Sequence, residues 1–276
     1  MALTLPAPAK LNLFLHIIGR RADGYHNLQT LFQLLDYGDD LTFAGRNDSA
    51  INLQDSLPGV ADEDNLVVRA AKALQRFTAT PKGADIGIVK RIPSGGGLGG
   101  GSSDAATTLL GLNKLWGLAL TVDELTAIGA PLGADIPIFV RGHSAWAEGV
   151  GDRLTDVELP DAWYLVICPE CAVSTGKIFA HGELTRDSRA ITIRAFLEQG
   201  GRNDCQPVVE KLYPEVKKAR LWLDQFASAS MTGTGACLFA RFDSKADALE
   251  VLAQKPGQWQ GFVARGVNRS PCHLLL

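Results

Sequence analysis

The chain has 276 residues, 46% of them hydrophobic and 21% charged, and its 27 Lys and Arg against 30 Asp and Glu leave a formal charge of -3. That length supports one large or two ordinary globular domains with a substantial core, and the composition excludes a linker or a disordered segment. No basic face is implied, so nucleic-acid binding has no electrostatic support and a small-molecule partner is expected.

KLNLFLHIIG, near the N-terminus, alternates with Leu11, Leu13, Leu15 and Ile17 on one side and Asn12, Phe14 and His16 on the other. The pattern predicts a strand buried mainly on one face. The apolar run Leu11 to Ile18 is too short to span a bilayer and follows Lys10 without a small-residue cleavage site, so a soluble cytoplasmic protein with no membrane partner is expected. In RADGYH, Asp23-Gly24 signals a tight turn that presents Tyr25 and His26 at a loop tip. LTFAG and INLQ read as further short strands separated by the polar turn RNDS. EDNLVVRAAKALQRF offers Asp64 or Asn65 as N-cap and places Leu66, Ala70, Leu74 and Phe77 at helical spacing, which predicts an amphipathic helix.

After TPKG, Ile86, Ile88 and Ile92 alternate in ADIGIVKRIP, a strand that runs into PSGGGLGGGSSDAA. The helix expected next has Ser102 or Ser103 as N-cap, Asp104 in its first turn and Gly117 as C-cap. TVDELTAIGAPLG is a short capped helix, and ADIPIFVRG leads from it into two strands, HSAWAEG and GDRLTDVEL. The pattern restarts at WYLVICP, which places a domain boundary between residues 159 and 160. Beyond it come a helix near Thr175 to His181, a long helix within Gln206 to Phe226, the strand ACLFARF after the small glycine loop TGTG, the helix SKADALEVLA and the strand GFVARGV.

Five cysteines, scattered over the C-terminal half, argue against a disulfide framework. CPEC at Cys168 to Cys171 has the CxxC form, yet it lacks the second ligand pair of a zinc site and carries Pro169 where a redox pair opens a helix. Two half-buried thiols at a strand end are expected instead.

The six glycines in the seven positions Gly95 to Gly101 lie between a strand and a capped helix. Glycine permits positive φ and close backbone approach, while a helix start offers free N–H groups and partial positive charge, so together they make an anion cradle. The rival reading is a hinge or a close-packing turn. Among phosphate motifs, the Walker pattern needs a lysine where Gly101 precedes Ser102, and the protein-kinase loop needs a following strand. Gly95, Gly97 and Gly100 meet GxGxxG formally, but a dinucleotide unit expects an acidic residue at the end of a next strand, and TVDELTAIG reads as a helix.

PSGGGLGGGSSDAA resembles the phosphate loop of the GHMP small-molecule kinases, and PAKLNLFLHIIGRRADGYHNLQTLFQ, GADIPIFVRG and TGTGAC extend the likeness over the whole chain. Within that superfamily the combination of PAKLNL with ADGYH resembles the branch that acts on cytidine diphosphate methylerythritol in the non-mevalonate route to isoprenoids. The resemblance implies an α+β, two-domain GHMP kinase fold, with a ribosomal protein S5 domain 2-like N-terminal domain over residues 1–159 and a ferredoxin-like C-terminal domain over 160–276. It also implies ATP as phosphoryl donor, with Mg2+ accompanying it and its protein ligands unassigned.

Phosphoryl transfer to an alcohol demands that two anionic partners be held in line while charge is neutralised. By resemblance, Pro93, Ser94, Gly95, Gly96, Gly97, Leu98, Gly99, Gly100, Gly101, Ser102 and Ser103 hold the triphosphate, and Asn65 and Lys90 border the adenine pocket. Asp135 accepts or orients the substrate hydroxyl proton and Lys10 pairs with it; without the resemblance these read as a turn residue and a solvated lysine. Tyr25 and Phe179 sandwich the cytosine, His26 reads its edge, and Asn12, Thr175, Gly233 and Gly235 contact the substrate. A basic residue is expected beside Phe179, yet Ala180 stands there, with Lys177 and His181 nearby. Three alternatives remain in view: a GHMP kinase for a different alcohol, a dinucleotide oxidoreductase, and an inactive binding protein of the same fold.

Overall fold

In the computed structural model, which describes residues 2–54 and 61–276, the N-terminal strand is longer than its alternation suggests. β1 (Ala2–Arg20) and β2 (His26–Arg46) form one antiparallel hairpin, with Ala2 opposite Ala44 and Arg20 opposite His26. LTFAG is therefore the second half of β2 and not a strand of its own. One-sided burial does not hold either, because Leu11, Asn12, Phe14, Leu15, His16 and Ile17 are all buried and Leu13 is only half-buried. Register shifts between Pro8 and Lys10 and between Asn12 and Leu15 break the alternation. The hairpin also serves two cores: Leu5 and Ala7 pack with the helices of the N-terminal half, whereas Leu15 and Ile17 pack with the C-terminal half.

β3 (Ile51–Leu53) lies parallel to β4 (Gly83–Val89), which pairs antiparallel with β2. α1 (Leu66–Thr78) starts at Asn65, whose side chain accepts from the Val67 N–H at 2.9 Å, and this selects Asn65 over Asp64 as the cap. Its buried face is Val67, Val68, Ala70, Ala71 and Leu74; Phe77, expected there, sits in the last turn and is 55% exposed. α2 (Gly100–Trp116) ends at Gly117 as expected but opens earlier than either serine, on Gly99. The Gly99 carbonyl accepts the Ser103 N–H at 2.8 Å, so both serines lie inside the helix and Asp104 falls past its first turn.

α3 (Val122–Gly129) carries a capping box between Thr121 and Glu124. IPIFVR forms the short α4 (Ile136–Arg141), and β5 (Ala145–Gly149) and β6 (Arg153–Asp156) follow as a hairpin on β2.

The remainder is β7 (Trp163–Cys168), α5 (Thr175–Ala180), α6 (Ile193–Gln199), α7 (Gln206–Leu212), α8 (Pro214–Leu223), β8 (Ala229–Met231), β9 (Leu238–Phe242), α9 (Lys245–Ala253) and β10 (Gln260–Val267). The long helix expected within Gln206 to Phe226 is two helices, because Pro214 lacks the N–H needed to continue the ladder and drives Tyr213 out of helical geometry, to φ -128° and ψ 83°. The strand order β10-β7-β9-β8 places the last strand beside the first, the ferredoxin-like arrangement. β10 also pairs with β2 through Leu34 and Leu35, so the sheet passes without interruption from β3 to β8.

The cysteine reading needs correction. Cys168 is not a free half-buried thiol: it is disulfide-bonded to Cys237, with Cα atoms 4.3 Å apart, whereas Cys171, its partner in the CxxC form, is free. The register explains the pairing. Ile167 lies opposite Leu238, so the next residues along the antiparallel pair, Cys168 and Cys237, face each other across 69 residues of sequence. Among the described residues no helix is long and apolar enough to cross a membrane.

Candidate active site

β4 ends at Val89, short of the Ile92 expected in the strand, and residues 90–92 lead into the glycine loop and so to α2, the strand, loop and helix order expected. Gly97 and Gly99 take φ of 77° and 75°, a region that side chains rarely adopt. At Gly97 the requirement is doubled, because a Cβ would collide with the Thr232 carbonyl of the facing TGTG loop. The loop therefore has one backbone on each side: its own N–H groups and, across from them, the 232–235 turn.

Two cavities meet on this loop. One, of about 470 Å³, is lined by Asn65, Leu66, Lys90, Ile92 and the run from Pro93 to Ser102. The other, of about 330 Å³, is lined by Lys10, Asn12, Thr30, Asp135, Thr175, Phe179, Gly233 and Gly235, among others. Gly95, Gly97 and Ser102 belong to both walls. Ser103 is fully buried, its Oγ has no partner, and it lines neither cavity. Of the two serines, Ser102 is the one that lines the cavities.

Lys10, only 2% exposed, lines the second cavity. Its Nζ donates to Asn12 Oδ1 at 2.5 Å and to the Gly97 carbonyl at 3.0 Å, and lies 3.3 Å from Asp135 Oδ2. The bulge between Pro8 and Lys10 turns this side chain toward the loop, while its own N–H donates to the Leu98 carbonyl at 3.0 Å. Asp135 stands at the N-cap position of α4, yet its side chain caps nothing there. It is thereby left to the cavity, one-third exposed and paired with Lys10. Sequence proximity does not suggest this pair; the strand hairpin and α4 create it.

Thr30 and Asn203 carry no sequence signal of their own, and Thr232 and Thr234 only their place in TGTG, yet the four hold the site together. Asn12 donates through Nδ2 to Thr30 Oγ1 at 3.0 Å and through its backbone N–H to Thr232 Oγ1 at 2.9 Å, and Thr232 in turn donates to the Gly97 carbonyl at 3.1 Å. Asn203 Nδ2 donates to the carbonyls of Met231 and Gly233, each at 2.8 Å, and the Thr175 and Thr234 hydroxyls bond at 2.8 Å. Buried polar side chains that must find partners thus lock TGTG against β1 and the glycine loop.

On the wall of the first cavity Lys90 forms a short ion pair with the fully buried Asp39 and a second, at 2.7 Å, with Asp104 Oδ2. Burial, opposed by Lys90, pushes the Asp104 carboxyl well above the usual carboxylate range. Asp39 also accepts from the Ile92 N–H at 2.8 Å, so this cluster fixes the strand end from which the glycine loop departs.

Tyr25 is 67% exposed on the β1–β2 turn, as expected, and does not line the cavity. His26 differs from expectation. It is the first residue of β2 rather than part of a loop tip, it is 8% exposed, and its ring stacks on Phe179 with centroids 5.3 Å apart. The basic group missing at Ala180 has a counterpart from further along the chain: Arg186 Nε donates to His26 Nε2 at 3.1 Å. Burial, then the nearby Arg186 and Arg20, lowers the pKa of His26.

The chain matches the family model for the GHMP kinases N terminal domain over residues 65–143 and that for the GHMP kinases C terminal over residues 183–256. It is 56% identical to the 4-diphosphocytidyl-2-C-methyl-D-erythritol kinase of Pseudomonas aeruginosa over 271 residues, covering 98% of this chain and 96% of that protein. It is 58% identical to the protein of that name from Ectopseudomonas mendocina, over 98% of this chain and 93% of the other. A crystal structure of 4-(cytidine 5'-diphospho)-2C-methyl-D-erythritol kinase superposes with a TM-score of 0.86 at 31% identity, over 96% of this chain and all of the other. A homoserine kinase from Cytophaga hutchinsonii, at 18% identity and a TM-score of 0.70, shares the fold.

Proposed function

The chain belongs to the GHMP kinases and, among them, to the 4-diphosphocytidyl-2-C-methyl-D-erythritol kinases, and on that premise we propose that it moves the γ-phosphoryl group of ATP onto the 2-hydroxyl of 4-diphosphocytidyl-2-C-methyl-D-erythritol. The products are the 2-phosphate and ADP, and the step belongs to the methylerythritol phosphate route to isoprenoid precursors. The observation that carries this reading is the wall of Gly95, Gly97 and Ser102 shared by the two cavities, with Lys10 and Asp135 on one side of it only.

In this reading the first cavity takes ATP, with the adenine end toward Asn65 and Lys90 and the triphosphate along the loop N–H groups. The second takes the alcohol, whose hydroxyl reaches the γ-phosphoryl over the shared wall. Asp135 takes the hydroxyl proton, and the Lys10 ammonium stabilises the charge that builds on the transferring group. Among the described residues no group of three or more His, Cys, Asp or Glu side chains could hold a metal ion. A magnesium ion brought in with ATP would neutralise the charge of its phosphates, and the Ser102 hydroxyl, which lines both cavities, would be a ligand for it. The protein works in the cytoplasm, and its two domains divide between residues 159 and 160.

A coupled ADP-release assay offering the cytidine substrate beside homoserine, galactose and mevalonate tests the function. ADP should appear with the first alone; release with another alcohol would move the chain to a different branch of the family. The base end has its own test. Phe179→Ala and Tyr25→Ala should each raise KM for the cytidine substrate at least about tenfold, since stacking on one face is worth about 1–3 kcal/mol per base. A KM that does not move in either variant would remove that ring from the site.

A further inference from the structure

Beside Phe179, on the wall of the second cavity, one cation makes contacts to two separate elements. Arg186 lies between α5 and α6, half-buried, and four of the five N–H donors of its guanidinium are in use. Nε donates to His26 Nε2 at 3.1 Å, Nη2 to the carbonyls of Phe179 at 2.9 Å and His181 at 2.8 Å, and Nη1 to the Leu184 carbonyl at 3.0 Å. The contacts to Phe179 and His181 close the C-terminal end of α5, where carbonyls lack helical partners. One side chain thus sets both the ring of Phe179, through its backbone, and the imidazole stacked on it.

A guanidinium has hydrogen-bond donors only. The His26 nitrogen that faces it must offer a lone pair, which makes the ring neutral and leaves its proton on Nδ1. The lowered pKa of His26 agrees with a neutral ring. Among the described residues no protein group is bonded to Nδ1, so Nδ1–H is what the ring has left to present to a ligand.

We propose that Arg186 is the positioning residue that makes this kinase select cytosine over uracil, by locking His26 as an Nδ1–H donor and holding Phe179 at the end of α5. The inference rests on the function proposed above and names the source of its base specificity. Cytosine carries a lone pair at N3, which accepts the Nδ1–H. Uracil carries a hydrogen at N3, so two donors face each other and both go unpaired. A site built to hydrogen-bond one partner rejects the mismatched one through that unpaired group.

The test compares the cytidine substrate with its uridine counterpart in the wild type, Arg186→Met and Arg186→Lys, with 15N NMR of the His26 ring as an independent readout. The wild type should prefer the cytidine compound by at least about 100-fold in kcat/KM and show the Nδ1–H tautomer. In Arg186→Met that preference should fall at least about tenfold, through a rise in KM for the cytidine substrate, with KM for ATP unchanged and the imidazole signals shifted toward the Nε2–H form. Arg186→Lys should keep part of the preference, since one ammonium can still donate to Nε2. Equal weakening of both substrates in Arg186→Met would reduce Arg186 to a structural tie and overturn the proposal. So would a wild-type His26 found charged or protonated on Nε2, a result that needs no variant to fold. A wild type that releases no ADP with the cytidine substrate would instead overturn the function itself.

Discussion

Asp135→Asn should lower kcat by about 1,000-fold, roughly 4 kcal/mol of barrier, while KM for ATP stays within a few fold of wild type. The asparagine keeps the shape of the side chain and can still accept from the Lys10 ammonium, now 3.3 Å from the carboxylate. What it cannot do is take a proton. The fold should tolerate the change, because the Asp135 side chain is 34% exposed and makes no cap to α4. A thermal midpoint near wild type, read beside single-turnover rates, separates chemistry from folding. A fall of less than about tenfold would mean that Asp135 orients the hydroxyl and that another group receives the proton.

Lys10→Met should cost about 100-fold in kcat and also weaken the site mechanically, since a buried ammonium is lost from three acceptors at once. Asn12 Oδ1, the Gly97 carbonyl and Asp135 all lose a donor. Of these only Asn12 Oδ1 is both buried and left alone, since the Gly97 carbonyl keeps the Thr232 hydroxyl and Asp135 is one-third exposed; one such acceptor costs about 1–3 kcal/mol, so a lower thermal midpoint is expected here and not in Asp135→Asn. Because Lys10 holds the glycine loop through Gly97, KM for ATP should rise as well, by about tenfold or less. Turnover within threefold of wild type would show that the cation is a strut for the loop and stabilises no charge in the transition state. The two variants together distinguish a proton acceptor from a charge that both positions and stabilises.

Much of the site was legible because its parts are local. PSGGGLGGGSSDAA carries its own logic, since glycines that take positive φ and a helix start with free N–H groups are neighbours in sequence. Asn65 as a helix cap, Gly117 as a stop and the capping box at Thr121 are likewise settled within a few residues. The misreadings share a cause, which is that they concern which surface meets which. His26 was expected at a loop tip because Asp23-Gly24 makes a turn there, but the pairing of Arg20 with His26 extends β2 to include it. Phe77 keeps the helical spacing of the buried face, yet that face has run out of core by the last turn of α1. No feature of RDS around Arg186 marks it, because its partner is a histidine 160 residues away.

By itself, the sequence determined most of the strands and helices, the strand, glycine loop and helix unit and, through PAKLNL, ADGYH and TGTGAC, the branch of kinases to which the chain belongs. These are properties of short segments, set by backbone conformation and by which side chains a few consecutive residues carry. Only the tertiary structure decided how Lys10 reaches Asp135, that Cys168 meets Cys237, that Thr232 and Asn203 tie the TGTG turn against the glycine loop, and that Arg186 bonds to His26. Each of those contacts spans a large separation in sequence and depends on strand register and on a bulge or a helix end. Periodicity reports which face of one element is apolar, whereas the partner of a buried charge is chosen by every element packed around it.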